Sequence, residues 1–137
     1  GAPNGYMVVS VNGTKLKWKY KSANRKDDYQ MRVYKPGEFR TQKKYIVANV
    51  WEWDPHTRVV WYEDGKYKGA MQRFVDNDEA FLLTKPKKHQ LAKTGHLFRA
   101  MPSSPRYRYI KVIFINRFGE TFTWKWENRN NRPFLIQ

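Results

Sequence analysis

Three histidines, twelve carboxylates and four serines are the side chains from which this 137-residue chain could build a catalytic or metal site. The histidines, His56, His89 and His96, stand far apart. Asp54-Pro55-His56 is an Asp-x-His, a spacing that di-metal hydrolases place at a strand end to hold an ion. Here a proline occupies the middle position, and the segment reads as a turn between two strands. No Gly-Asp, Gly-Asn-His or Gly-His-x-His follows to supply the other ligands that a di-metal centre must converge. The residues therefore point to Asp54 capping a turn and His56 standing in solvent. The chain lacks cysteine, which excludes a disulfide scaffold, a thiolate metal site and a Cys nucleophile. No Gly-x-Ser-x-Gly surrounds Ser10, Ser22, Ser103 or Ser104. Paired carboxylates for glycoside hydrolysis meet in space rather than in sequence, but the acids here sit in turns and loops. Gly65-Lys66 and Gly69 lack the frame and the following helix of a phosphate-cradling loop. No catalytic, cofactor-binding or metal-ligating residue is assigned.

Binding chemistry has more material. There are 27 Lys and Arg against 12 Asp and Glu, a net charge of +15, spread evenly along the chain. The densest cluster is Lys85-Pro86-Lys87-Lys88-His89, a loop. Elsewhere cations alternate with apolar residues, as in Lys15-Leu16-Lys17-Trp18-Lys19-Tyr20, which places them on the wet face of a strand. They serve solubility and edge protection, with anion capture as the competing use. Trp18, Trp51, Trp61, Trp124 and Trp126 fall at alternating positions and read as core. Trp53, just before the Asp-Pro turn, is the ring expected to be most exposed and able to stack on a sugar or a base.

These side chains must be held by strands. Met7–Val11 and Thr14–Tyr20 flank Asn12-Gly13, a hairpin signal, with Leu16, Trp18 and Tyr20 expected inward. Further strands are expected over Tyr29–Tyr34, Tyr45–Trp53, Arg58–Tyr62, Lys66–Phe74, His96–Ala100, Tyr107–Asn116 and Thr121–Glu127. Asp64-Gly65 and Phe118-Gly119 mark tight turns. Tyr107–Asn116 is the most apolar stretch and is expected to be a central strand. Residues 75–95 are irregular, carry the acidic run Asp76-Asn77-Asp78-Glu79, and leave Ala80–Thr84 open between a strand and a helical turn. About seven to nine strands at this spacing, with almost no helical periodicity, describe an all-β antiparallel sandwich of immunoglobulin-like type in a single domain. The expected limits are 1–5 for a cleavage scar and linker, 6–127 for the sandwich and 128–137 for a C-terminal tail. No apolar run is long enough to span a membrane.

Several segments in order resemble one family. They are Asp28-Tyr29-Gln30-Met31-Arg32-Val33-Tyr34, then Val47-Ala48-Asn49-Val50-Trp51-Glu52-Trp53-Asp54-Pro55 followed by Val60-Trp61-Tyr62-Glu63-Asp64-Gly65. His96-Leu97-Phe98-Arg99-Ala100 and Asn116-Arg117-Phe118-Gly119-Glu120 complete the set. Together, from about Lys17 to Trp126, they resemble the C-terminal domain of bacterial calcineurin-like metallophosphoesterases. The resemblance implies an exported, periplasmic or cell-surface parent whose separate catalytic domain holds two divalent metals and cleaves phosphate esters. It implies that this C-terminal domain carries no cofactor and has that catalytic domain of the same polypeptide as its partner. It directs attention to Trp53, Asp54, His56, His96 and Arg99 as candidate contacts with the catalytic body or a ligand. The alternative is a module that binds an anionic polysaccharide or cell-wall polymer through Trp53 and neighbouring cations. Nucleic acid ranks last, because the aromatics mostly alternate into a core.

Overall fold

Alternation with period two gives a strand one face to bury and one to wet. In the computed structural model of the chain, which describes residues 5–23, 26, 29–76 and 94–129, that pattern resolves into ten strands. They are β1 (Gly5–Asn12), β2 (Lys15–Ser22), β3 (Met31–Tyr34), β4 (Ile46–Val50), β5 (Arg58–Glu63), β6 (Lys66–Ala70), β7 (Gln72–Asp76), β8 (Thr94–Ala100), β9 (Tyr109–Ile115) and β10 (Thr121–Glu127). One four-stranded sheet has the order β10-β9-β5-β6 and a second has β3-β4-β8-β7, while β1 and β2 form a separate hairpin. Every pairing is antiparallel. The molecule is a β-sandwich, as the sequence pattern indicates.

The two sheets share one apolar core. Ile46, Ala48 and Val50 of β4 and Phe98 and Ala100 of β8 come from one side. Val59 and Trp61 of β5 and Ile110, Val112 and Phe114 of β9 come from the other, with Phe122, Trp124 and Trp126 of β10 closing the edge. β9 lies between β5 and β10, the central position expected for the most apolar segment. β4 shows no alternation, because all five of its residues are buried. Its outer face is covered by the segment 35–45, which folds back and inserts Phe39 against Tyr34, Val47 and Leu97. Phe39 is 0% exposed, and its ring meets the edges of Tyr34 at 5.2 Å and Phe74 at 6.1 Å.

Three details differ from the sequence pattern. The stretch 66–74 is two strands rather than one: the chain leaves one sheet after β6 and enters the other at β7. Buried Met71 makes the crossing, its N–H donating to the Val59 carbonyl at 2.8 Å. That split yields the tenth strand. In the β1–β2 turn the central pair is Gly13-Thr14, with Gly13 at φ 63°. A glycine at the first central position with positive φ suits a II′ turn, so Asn12 stays in its strand. The Asp64-Gly65 turn follows the expected rule, with φ of 50° and 83° at its two central residues. Finally, the alternation in β2 does not bury all of its apolar face. Trp18 and Tyr20 are half-buried and Leu16 is exposed. The Lys85–His89 cluster, the acidic run from Asn77 to Glu79, the segment Ala80–Thr84 and the tail Pro133–Gln137 lie outside the described residues.

Candidate functional site at the loop end of the sandwich

At one end of the sandwich, residues 51–57 carry the chain from β4 in one sheet to β5 in the other, so this turn bridges the layers. The β9–β10 loop, the start of β8 and the base of the β1–β2 hairpin meet it there. Asp54 organises the turn. Its Oδ1 accepts the His56 N–H at 2.7 Å, its own N–H donates to Thr57 Oγ1 at 3.1 Å, and Thr57 N–H returns to the Asp54 carbonyl at 2.9 Å. Its Oδ2 accepts Arg117 Nε at 2.9 Å. Burial pushes the Asp54 carboxyl up, but the His56 N–H and the Arg117 guanidinium outweigh it and hold the group below its ordinary 3.8. Asp54 is therefore the expected turn cap, and His56 is exposed.

The hairpin is rooted on this turn. Arg117 lies over Trp18, with its guanidinium carbon 4.9 Å from the ring centroid, while Phe118 meets Trp18 edge-on at 5.0 Å and 88°. Gln30 Nε2 donates to the Tyr20 carbonyl at 2.5 Å. The half-buried Glu52 carboxylate accepts the Tyr20 N–H. Burial raises the Glu52 pKa, and the Asp54 charge adds to that. Trp51 anchors the same junction, its indole N–H donating to the Tyr29 carbonyl at 2.9 Å and its backbone N–H to Gln30 at 3.1 Å.

Trp53 is not the open ring that its place before Asp-Pro suggests. It is half-buried against the core, and the Arg73 guanidinium covers it at 3.8 Å from the ring centroid. Arg73 is in turn fixed by its Nε donating to the Gly95 carbonyl at 2.6 Å. His96, the next residue, is half-buried beside the Val50–Trp51 backbone. Burial lowers its pKa and the nearby Arg73 charge adds to the effect, against hydrogen bonding to the Trp51 and Val50 backbone. Trp53, Asp54, His56 and His96 thus gather at one end. Arg99 does not join them. It points from the outer face of β8, donating from Nε to Gln72 Oε1 at 3.0 Å and from Nη1 to Gln42 Oε1 at 2.7 Å, with Tyr45 and Phe74 against its guanidinium. It clamps the 35–45 segment to the sheet.

Among the described residues no three His, Cys, Asp or Glu side chains come together as metal ligands. Asp54 and Arg117 are engaged with each other, with the turn backbone and with the Trp18 ring, so this end of the sandwich presents a braced surface. Sequence reasoning missed Arg73 and Arg117, the two cations that cover Trp53 and Trp18. It also missed the apolar face of the hairpin. The register pairs Met7 with Tyr20, Val9 with Trp18 and Val11 with Leu16, so these six share one face. Met7, Val9, Val11 and Leu16 are 45%, 57%, 71% and 52% exposed. The available signal was that β1, Gly-Tyr-Met-Val-Val-Ser-Val-Asn, contains no charged residue at all. At the opposite end, a groove of about 540 Å³ on the outer face of β5, β9 and β10 is lined by Tyr62, Tyr109, Lys111 and Lys125, among others. The Lys111 ammonium sits 4.2 Å from the Tyr62 ring centroid.

The chain matches the family described as the C terminal of calcineurin-like phosphoesterase over residues 1–122, and it belongs to that family. No curated protein and no solved structure matches it.

Proposed function

We propose that this domain is a non-catalytic accessory unit of an exported calcineurin-like metallophosphoesterase, packing on the catalytic domain and supporting it. The observation that carries the reading is the family match over residues 1–122, to the C-terminal part of such enzymes. The loop end is consistent with it, because Asp54, the one carboxylate in an Asp-x-His, spends both oxygens on His56 and Arg117. The two divalent metals and the phosphate-ester chemistry belong, in this reading, to the preceding domain. The basic surface would raise the local concentration of a phosphorylated substrate near that domain. The test is to assay the 137-residue chain and the full-length polypeptide side by side with Mn²⁺ or Zn²⁺ and a generic phosphate ester. Turnover confined to the full-length polypeptide supports the reading, and turnover by the short chain overturns it.

The second reading, a module for an anionic polysaccharide, loses Trp53, whose ring Arg73 covers. It gains the exposed Tyr109 ring in the groove beside Lys111 and Lys125, since Lys111 covers the Tyr62 ring. It predicts salt-sensitive retention on an acidic polysaccharide matrix, lost when Lys111 and Lys125 are replaced.

A further inference from the structure

The β1–β2 hairpin is the part of the molecule whose chemistry the sandwich does not use. Among the described residues its apolar face is seated at the base, where Trp18 meets Phe118 and Arg117. Beyond that point Met7, Val9, Val11 and Leu16 project into solvent, and among the described residues no other strand packs extensively on β1 or β2. A two-stranded hairpin is marginal in water by itself, and contiguous exposed apolar surface of this kind marks an interaction site. The outer edge of β1 adds to this. It has no lysine, proline or bulge to discourage pairing, although such devices guard most exposed edges. The reverse face is basic, carrying Lys15, Lys17, Lys19 and Lys21 opposite Asn12, Ser10, Val8 and Tyr6.

Resting on the accessory-domain reading, we infer that the apolar face of this hairpin is the docking element for the phosphoesterase domain of the same polypeptide. Three observations select that occupant. The family is the C-terminal part of such enzymes, so the phosphoesterase domain is tethered to this one and meets it at an effective concentration in the millimolar range. β1 is the first of the described strands, and in a C-terminal domain the first strand is the one nearest in sequence to the phosphoesterase part. A second copy is a poor occupant, because each chain carries +15 and four lysines on the back of the very element that would be shared. The surface is also continuous with the loop end through Trp18, so docking would order Arg117 and the Asp54 turn along with the hairpin.

Amide hydrogen exchange on the full-length polypeptide and on the 137-residue chain tests this. The β1 amides should exchange at least about tenfold more slowly in the full-length polypeptide. Val11→Glu with Leu16→Glu, at the exposed tip of the hairpin, should abolish that difference and leave the melting temperature of the 137-residue chain unchanged. Equal β1 exchange in the two proteins overturns the inference, as does slowing that survives the double substitution. Slowing that appears in the 137-residue chain and grows with its concentration also overturns it, by assigning the face to a second copy. Small-angle scattering separates this from the broader reading. If β1 exchange is equal and the full-length polypeptide is compact, the domains pack through another surface. If it is extended, the packing role fails as well.

Discussion

Replacing Asp54 by alanine removes two accepted hydrogen bonds at once, and the structure separates their sizes. The bond from the His56 N–H fixes an exposed turn and contributes on the order of 1 kcal/mol. The pair with Arg117 has side chains 25–32% exposed, which places it near the upper end of the range of about 0.2–1 kcal/mol for such pairs. Asp54→Ala should therefore destabilise the domain by about 1.5–2 kcal/mol, and Asp54→Asn, which keeps an oxygen for His56, by about half of that. At this chain length the alanine variant should melt about 5–7 °C lower. Because the carboxyl is held below 3.8 in the fold, its charge-dependent contribution is fully present above that value and disappears as pH falls through the depressed one. The gap between wild type and Asp54→Ala should accordingly narrow in urea melts below about pH 3.8. Arg117 also covers Trp18, so exchange of the Trp18–Ser22 amides should accelerate in the alanine variant. A loss below about 0.5 kcal/mol with unchanged β2 exchange would refute the view that this turn holds the root of the hairpin.

Other perturbations have equally definite outcomes. Phe39→Ala empties the fully buried ring at the centre of the outer core and should cost about 3–5 kcal/mol in urea unfolding, whereas Phe39→Leu should cost much less. His96 has its pKa lowered by burial, so wild type should lose stability as pH falls below 6.5, and His96→Gln should flatten the profile between pH 7.5 and 5.5. Buried Glu63 accepts the Ser103 N–H at 2.8 Å and also the Ser103 hydroxyl. Ser103→Ala should cost about 1–3 kcal/mol by leaving one carboxylate oxygen short of a donor, read as a shift in urea midpoint without a change in slope.

Much of the architecture is legible from pattern alone, because each sheet buries one face and each turn needs particular residues. Asp64-Gly65 declares its turn, and Ile110, Val112 and Phe114 declare the buried side of β9. The sheet change at Met71 is not legible, since the alternation continues across it and Gly69 alone hints at the break. β4 looks irregular by itself; its meaning depends on Phe39, seven residues upstream of it, folding back over the sheet. The same limit applies to the site. The sequence identifies Asp54 as a turn cap, since that chemistry is local. It cannot show that Arg73 covers Trp53 or that Arg117 covers Trp18, because those contacts join residues 20 and 99 positions apart. Leu16 is the converse case: its alternation is that of a buried residue, and among the described residues it stays 52% exposed.

The central claim is that this domain supports a phosphoesterase domain rather than performing chemistry. The measurement that tests it most directly is thermal unfolding of the phosphoesterase domain with and without residues 5–129, followed through its phosphate-ester hydrolysis after heating. The account predicts that removal lowers the inactivation midpoint by several degrees. An unchanged midpoint, with unchanged hydrolysis before heating, would contradict it.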